Sequence, residues 1–174
     1  VVDWRSSITR EIKSVGKRLG VEANWEAFAD RWRAGYHDGM QAFRDGTDVW
    51  KTADQMYRDR LDLLLAEHSI TSLSEPETEH LNRAWHRLDP WPDSVEGLTK
   101  LKSKFVIGTL SNGNVGLLVN MAKYGVLPWD CVFAGELAGS YKPDPKVYLM
   151  ATNLLGLEPH EVMMIAAHNH DLIA

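Results

Sequence analysis

The fold is decided by the stretch Val162-Met163-Met164-Ile165-Ala166-Ala167-His168-Asn169-His170-Asp171, in which a short apolar run ends in polar residues. An apolar run of this length with β-branched members is typical of a buried parallel strand. In open α/β sheets, ligands bind just beyond the carboxyl ends of the strands. We therefore expect the polar residues that end this stretch to border a functional site.

Two apolar runs upstream, at residues 105–110 and 131–134, are predicted to be strands of the same sheet. Helical patterns alternate with the three strands at residues 93–103, 113–124 and 144–156. Strands that alternate with helices of about a dozen residues indicate βαβ units with right-handed crossovers. This part of the chain is thus predicted to be α/β, a Rossmann-like parallel sheet core with helices on both faces.

The chain before Pro90 shows helical periodicity and no convincing strand. One apolar stripe recurs at spacings of three and four residues and consists of Trp25, Phe28, Ala29, Trp32 and Tyr36. The sequence Asp89-Pro90-Trp91-Pro92 interrupts helix, because each proline biases the preceding residue away from the α region. We therefore place a boundary between two parts of the chain at about Pro90.

Composition excludes several classes of protein. The 174 residues support one domain, or one domain with a modest insertion. The formal net charge of −5 gives no basic footprint for nucleic acid. No apolar run approaches the roughly 20 residues that span a bilayer. The single cysteine, Cys131, excludes an internal disulfide framework and fits a reducing cytoplasm.

Polar residues follow the first two predicted strands as well. Ser111 and Asn112 precede a helix N-terminus, where free backbone N–H groups and the helix dipole favour an anion. The alternative is that one of them merely caps the helix. Lys142 lies just before a helix whose start is fixed by Asp144 and Pro145, so its ammonium group can be aimed; otherwise it is an ordinary surface lysine.

These segments, in this order, resemble the haloacid dehalogenase superfamily of hydrolases. Its second motif is matched by Thr109-Leu110-Ser111-Asn112-Gly113, its third by Lys142-Pro143-Asp144, and its fourth by the polar cluster that ends in Asp171. The resemblance implies that the helical part is a cap inserted after the first core strand. We accordingly predict a loop leading into the cap at 1–10, a helical cap at 11–90 and an incomplete Rossmann-like α/β core at 91–174.

The fourth motif indicates the branch of the superfamily. Phosphatase members resemble one another in two acidic residues there, spaced i and i+4, which help to hold Mg²⁺. Ala167 occupies the first of these positions and Asp171 the second, and an alanine methyl group supplies no oxygen ligand. We therefore expect no metal and no cofactor. His168, His170 and Asp171 remain an alternative transition-metal site, because imidazole and carboxylate are common ligands.

The chain resembles most closely the type II (S)-2-haloacid dehalogenases. Their Ser-Asn-Gly triplet is matched at Ser111, their Lys with Tyr six residues later at Lys142 and Tyr148, and their cap Trp-Arg pair at Trp32 and Arg33. Some members have Ser-x-Asn-x-x-Asp in the fourth motif. That pattern aligns here with Ala166, His168 and Asp171 and departs from it at the first two positions.

The resemblance implies a role for each matched residue. A nucleophilic aspartate in an Asp-x-x-Gly-Thr pattern is expected before Val1, so the chain as given is expected to be inactive. Asn112 and Tyr148 would orient groups around the nucleophile. Arg33 would hold the departing halide, Trp32 would form a wall of the substrate pocket, and Ser111 would bind the substrate carboxylate. Lys142 would keep the nucleophile ionised. Asp171, with His168, would hold Lys142 and position the hydrolytic water.

The implied function is hydrolytic dehalogenation of short (S)-2-haloalkanoic acids to 2-hydroxy acids through an aspartyl ester. One alternative is an Mg²⁺-dependent phosphatase of the same superfamily, and another is an inactive member that binds a small carboxylate or a protein. The expected partner is the small haloacid substrate, with neither nucleic acid nor a membrane involved. The aromatic cap helices could in addition bury a homodimer interface.

Overall fold

A computed structural model describes residues 1–167 and 169–173 and is mostly helical with a small parallel sheet, as the α/β prediction requires. No helix in these two ranges is long and apolar enough to cross a membrane. Its helices are α1 (Trp4–Leu19), α2 (Trp25–Arg44), α3 (Ala53–Glu67), α4 (Glu75–Asn82), α5 (Ser94–Lys102), α6 (Val115–Tyr124) and α7 (Pro145–Leu155). Its strands are β1 (Val2–Asp3), β2 (Asp89–Pro90), β3 (Gly108–Ser111) and β4 (Cys131–Ala134).

The first helix begins earlier than expected. The Asp3 side chain accepts a hydrogen bond from the backbone N–H of Ser6 at 3.1 Å, so it caps a helix that starts at Trp4. Gly20 ends that helix in the left-handed conformation, with φ of 69°. The predicted loop over 1–10 is therefore wrong, because most of those residues form the first turns of α1.

A short antiparallel ribbon of β1 and β2 joins the helical part, which contains α1 to α4, to the sheet part, which contains β3, β4 and α5 to α7. Val2 pairs with Pro90 and Asp3 with Asp89. The buried hydroxyl of Ser7 donates to the carbonyl oxygen of Asp3 at 2.6 Å and accepts from the backbone N–H of Asp89 at 2.9 Å. Ser7 thus ties both strands of the ribbon to α1.

The core of the helical part is built on aromatic rings. Trp85 stacks on Tyr57 with ring centroids 3.9 Å apart and on Trp4 at 6.0 Å, and Tyr57 stacks in turn on Tyr36 at 4.9 Å. Trp32 packs edge-on against Trp85 at 5.5 Å. Large rings supply much of the buried apolar area, so this column fixes how α1, α2 and α3 lie against each other.

The parallel sheet is shorter than predicted. Gly108 to Ser111 pair in register with Cys131 to Ala134. Phe105 and Val106, predicted to begin the first strand, lie before the ladder and are 63% and 71% exposed. The first pair of the ladder is Gly108 with Cys131, and β4 has only four residues, so the parallel ladder is four residues long.

The predicted strand at residues 162–167 is wrong. These residues have no regular secondary structure, and Met163 and Ile165 are 83% and 73% exposed. A strand requires a neighbour that accepts and donates backbone hydrogen bonds. Within the described ranges the two parallel strands pair only with each other, and neither of them pairs with this segment.

Tyr141 anchors the sheet part in the helical part. Its ring is 2% exposed and lies edge-on to Phe43, with ring centroids 5.3 Å apart. Its hydroxyl donates to the carbonyl oxygen of Lys51 and accepts from the backbone N–H of Lys51 at 3.1 Å. One phenol therefore satisfies both backbone groups of a residue in the loop between α2 and α3.

Replacing Tyr141 with Phe is expected to lower the free energy of unfolding by about 1–2 kcal/mol, because two backbone groups of Lys51 lose their partner. Urea denaturation of the wild type and the variant measures the difference. Tyr124→Phe is the matched control, since the half-exposed Tyr124 hydroxyl donates only to Asp89 at the surface. An equal loss of unfolding free energy in both variants would show that the two hydrogen bonds of Tyr141 to Lys51 stabilise the protein no more than a surface tyrosine hydroxyl does.

Candidate active site

Lys142 and Asp171 form the centre of the candidate site. The Lys142 ammonium nitrogen lies 3.0 Å from Oδ1 of Asp171, and the two side chains are only 11% and 12% exposed. Burial of an unpaired charge of either sign costs free energy. The ion pair offsets this cost for both Lys142 and Asp171. The ordinary surface lysine that the sequence left open is therefore excluded for Lys142.

Tyr148, in the first turns of α7, forms a hydrogen bond with the Asp171 carboxylate of this pair. Pro145 starts that helix, and the side chain of Asp144 caps it by accepting the backbone N–H of Lys146 at 3.0 Å. The Tyr148 hydroxyl donates to Oδ1 of Asp171 at 3.3 Å. Burial raises the pKa of Tyr148, and the Asp171 carboxylate raises it further, so the phenol remains a donor.

Asn112 holds the backbone of Lys142. Its Oδ1 accepts the N–H of Lys142 at 2.6 Å, and its Nδ2 donates to the carbonyl oxygen of Lys142 at 3.3 Å. A side-chain amide can satisfy both backbone groups of one residue in this way. Asn112 thus connects the end of β3 to the loop that carries Lys142. Its expected role in orienting groups around the nucleophile stays a prediction.

Ser111 and Asn112 do not cap the following helix. The N-cap of α6 is Asn114, and the Ser111 hydroxyl oxygen instead accepts the backbone N–H of Gly113 at 3.0 Å. The capping alternative is therefore wrong for both residues. Ser111 is only half-buried at the end of β3.

Glu136 occupies part of the anion site that the sequence places at the start of α6. Its Oε2 accepts the backbone N–H of Val115 at 2.7 Å, so an internal carboxylate already interacts with the positive end of the helix dipole. The donors left for an external anion are those nearer to Ser111. No local sequence pattern predicts this contact between Glu136 and the start of α6.

Arg33 lies over an aromatic surface in the helical part. Its guanidinium carbon is 4.6 Å from the ring centre of Trp4, the distance of a cation–π contact. Burial raises the pKa of Tyr57, and the nearby Arg33 guanidinium offsets part of that increase. In the described part of the chain, the contacts of Arg33 are thus with aromatic rings and not with Ser111 or Lys142.

Trp32 does not form the wall of an open pocket. It has no exposed surface, and its Nε1 donates to the carbonyl oxygen of Tyr57 at 2.8 Å. The neighbouring Arg33 lies on another side of α2, because successive residues on a helix do not share a face. Trp32 is therefore a core residue, in contrast to the substrate-binding role that the resemblance suggested.

A polar network that the sequence did not predict joins the helical part to α6. Asp54 accepts hydrogen bonds from His86 Nε2 and Asn114 Nδ2, both at 2.9 Å, and Asn120 contacts the other ring nitrogen of His86 at 2.9 Å. Burial raises the pKa of Asp54, but the bonds from His86 and Asn114 outweigh it, so the net pKa is lowered. No local pattern links residues so far apart in the chain.

The remaining predicted residues lie at or outside the edge of the described ranges. His168, predicted to assist with water, lies outside them, as does the side chain of His170, on which the alternative transition-metal site depends. Among the described residues, no group of three or more His, Cys, Asp or Glu side chains is arranged to hold a metal ion. Asp171 itself is engaged by Lys142 and Tyr148.

Residues 5–169 match the model of the haloacid dehalogenase-like hydrolase family. The (S)-2-haloacid dehalogenase 4A of Burkholderia cepacia is 29% identical over 99% of this chain and 72% of its own length. The (S)-2-haloacid dehalogenase 1 of a Pseudomonas species is 31% identical over 72% of this chain and 54% of its own length.

Solved structures give the same picture. The crystal structure of a defluorinating L-2-haloacid dehalogenase superposes with a TM-score of 0.95 at 46% identity, over 99% of this chain and 71% of that one. A second L-2-haloacid dehalogenase gives a TM-score of 0.90 at 41% identity, over 99% of this chain and 74% of that one.

Proposed function

Because the chain belongs to the haloacid dehalogenase-like hydrolase family, we propose that it acts in the hydrolytic dehalogenation of short (S)-2-haloalkanoic acids. The observation that carries this proposal is the buried ion pair between Lys142 and Asp171, with Tyr148 on the same carboxylate. Relatives with this activity in their names support it. The cytoplasmic location expected from the single cysteine stays a prediction.

The proposed reaction has two steps. An aspartate carboxylate, expected in residues that precede Val1, attacks C2 of the substrate and forms an ester bond while the carbon–halogen bond breaks with inversion. The halide leaves with the bonding electrons. Water then attacks the ester carbonyl, which releases the (R)-2-hydroxy acid and a proton and restores the aspartate.

The described residues have distinct tasks in these steps. Lys142 supplies a fixed positive charge that keeps the nucleophile ionised, because a nearby cation favours the charged form of a carboxylate. Asp171 would hold that lysine in place through the ion pair, and Tyr148 donates to the same Asp171 carboxylate. Ser111 and neighbouring backbone N–H groups would bind the substrate carboxylate, and Arg33 would stabilise the departing halide.

Position 167 favours halide over phosphate chemistry. Mg²⁺ requires oxygen ligands in near-octahedral geometry, and Ala167 offers none. Oδ1 of Asp171 is already bonded to Lys142 at 3.0 Å. A substrate with one negative charge and a good leaving group needs no metal at this place.

Chloride release from (S)-2-chloropropionate, with and without EDTA, tests the proposal. We expect EDTA to leave turnover unchanged and the (R) enantiomer to be inert. The protein assayed carries the residues that precede Val1, and the chain from Val1 to Ala174 alone is expected to release no chloride. Loss of turnover in EDTA, or consumption of only a phosphate ester with Mg²⁺, would favour the phosphatase instead. Substrate binding without any turnover would favour the inactive binding member.

A further inference from the structure

The last turn of α2 reaches from the helical part to the loop that carries Lys142. Arg44 Nη2 donates to the carbonyl oxygen of Lys142 at 2.6 Å, across 98 residues of sequence. One turn earlier on the same helix, the Met40 sulfur lies 3.3 Å from Nδ2 of Asn112. The end of α2 thus rests on the two residues that form the lysine side of the candidate site.

The backbone of Lys142 is consequently held from two directions. Asn112 binds its N–H at 2.6 Å and its carbonyl oxygen at 3.3 Å, and Arg44 supplies a second, charged donor to the same oxygen. A carbonyl oxygen has two lone pairs and can accept both bonds. A charged donor makes the shorter and stronger bond, and the bond from the exposed Arg44 is the shorter of the two to this carbonyl oxygen, at 2.6 Å against 3.3 Å from Asn112.

The same helix also carries Arg33. The eleven residues from Arg33 to Arg44 correspond to about three turns of α-helix, which places the two side chains on one face. A single rigid helix therefore connects a cation expected at the halide with the backbone of the lysine expected at the nucleophile.

We propose that Arg44 is a positioning residue that sets the Lys142 ammonium group relative to Arg33. The proposal rests on the proposed function for its effect on turnover, but the contact itself is independent of it. Arg44 acts through the backbone of Lys142 and does not touch the substrate. An arginine that made only exposed ion pairs would contribute little to the position of Lys142, because such pairs are weak. Here the acceptor is a backbone carbonyl next to a buried charge.

The test compares Arg44→Gln and Arg44→Lys with a control on the same helix. Arg31→Gln is that control, because Arg31 pairs with Glu67 on the outer side and has no contact with Lys142. We expect Arg44→Gln to lower kcat for chloride release about tenfold, with KM little changed. Arg44→Lys should restore most of the loss, and Arg31→Gln should behave as the wild type.

A second measurement separates this proposal from the proposed function. With lysines labelled with ¹³C at Cε, the NMR signal that disappears in Lys142→Arg identifies Lys142. We expect this signal to move in Arg44→Gln and to stay in place in Arg31→Gln, whether or not the protein releases halide. An unmoved signal, or equal kcat in Arg44→Gln and Arg31→Gln, would overturn the positioning role. Absence of chloride release from the wild type would instead count against the proposed function.

Discussion

Replacing Lys142 with Ala is expected to lower kcat for chloride release by about 10²–10³-fold, the usual cost of removing a preorganised charge from a reacting centre. The structure places the ammonium group 3.0 Å from Asp171 in an almost closed environment. There its charge acts more strongly than it would in water. Initial rates with (S)-2-chloropropionate measure the effect.

Lys146→Ala is the matched control for this prediction, because Lys146 lies four residues further on and is exposed. Lys142→Ala also leaves the Asp171 carboxylate buried without its partner, which costs about 3–5 kcal/mol of stability. The double variant Lys142→Met with Asp171→Asn removes both charges and should recover most of that stability while remaining inactive. A double variant that regains activity would show that Lys142 matters only for folding.

One contact of the candidate site could be predicted from the sequence, whereas most of its surroundings could not. The resemblance to the haloacid dehalogenases implied that Asp171 would hold Lys142, and the two side chains lie 3.0 Å apart. The part that each residue takes in a reaction stays a prediction. The strand predicted at residues 162–167 is absent from the described part of the chain, because its apolar pattern says nothing of whether a neighbouring strand is there to pair with it. Periodicity describes one segment, whereas a sheet requires at least two.

The contacts between the two parts of the molecule could not be predicted from local patterns. Arg44 and Lys142 are 98 residues apart, and Asp54 and Asn114 are 60 apart. Lys142 belongs to a motif, but nothing in the sequence around Arg44 or Asp54 indicates which distant residue each of them contacts. Trp32 illustrates the opposite error: its motif suggested a pocket wall, but helical spacing places it with the buried stripe, where the structure has it.

Replacing Arg33 with Ala is the second large effect expected. If Arg33 stabilises the departing halide, its loss should lower kcat by about 10²–10³-fold. The loss should be greater for 2-chloropropionate than for 2-bromopropionate, because chloride is the poorer leaving group and depends more on a cation. Halide release from both substrates, measured for the wild type and Arg33→Ala, gives the two ratios.

A variant of Trp4 provides a second test of this role, because the Trp4 ring holds the Arg33 guanidinium by a cation–π contact at 4.6 Å. Trp4→Leu keeps the charge and removes the ring, so it should lose less activity than Arg33→Ala while changing the same halide ratio in the same direction. Arg31→Ala, on the outer side of α2, is the control and should change neither rate. Equal losses for chloride and bromide in Arg33→Ala would mean that the guanidinium binds the substrate carboxylate instead. In that case the helix that joins Arg33 to Arg44 would align the substrate, rather than the leaving group, with Lys142.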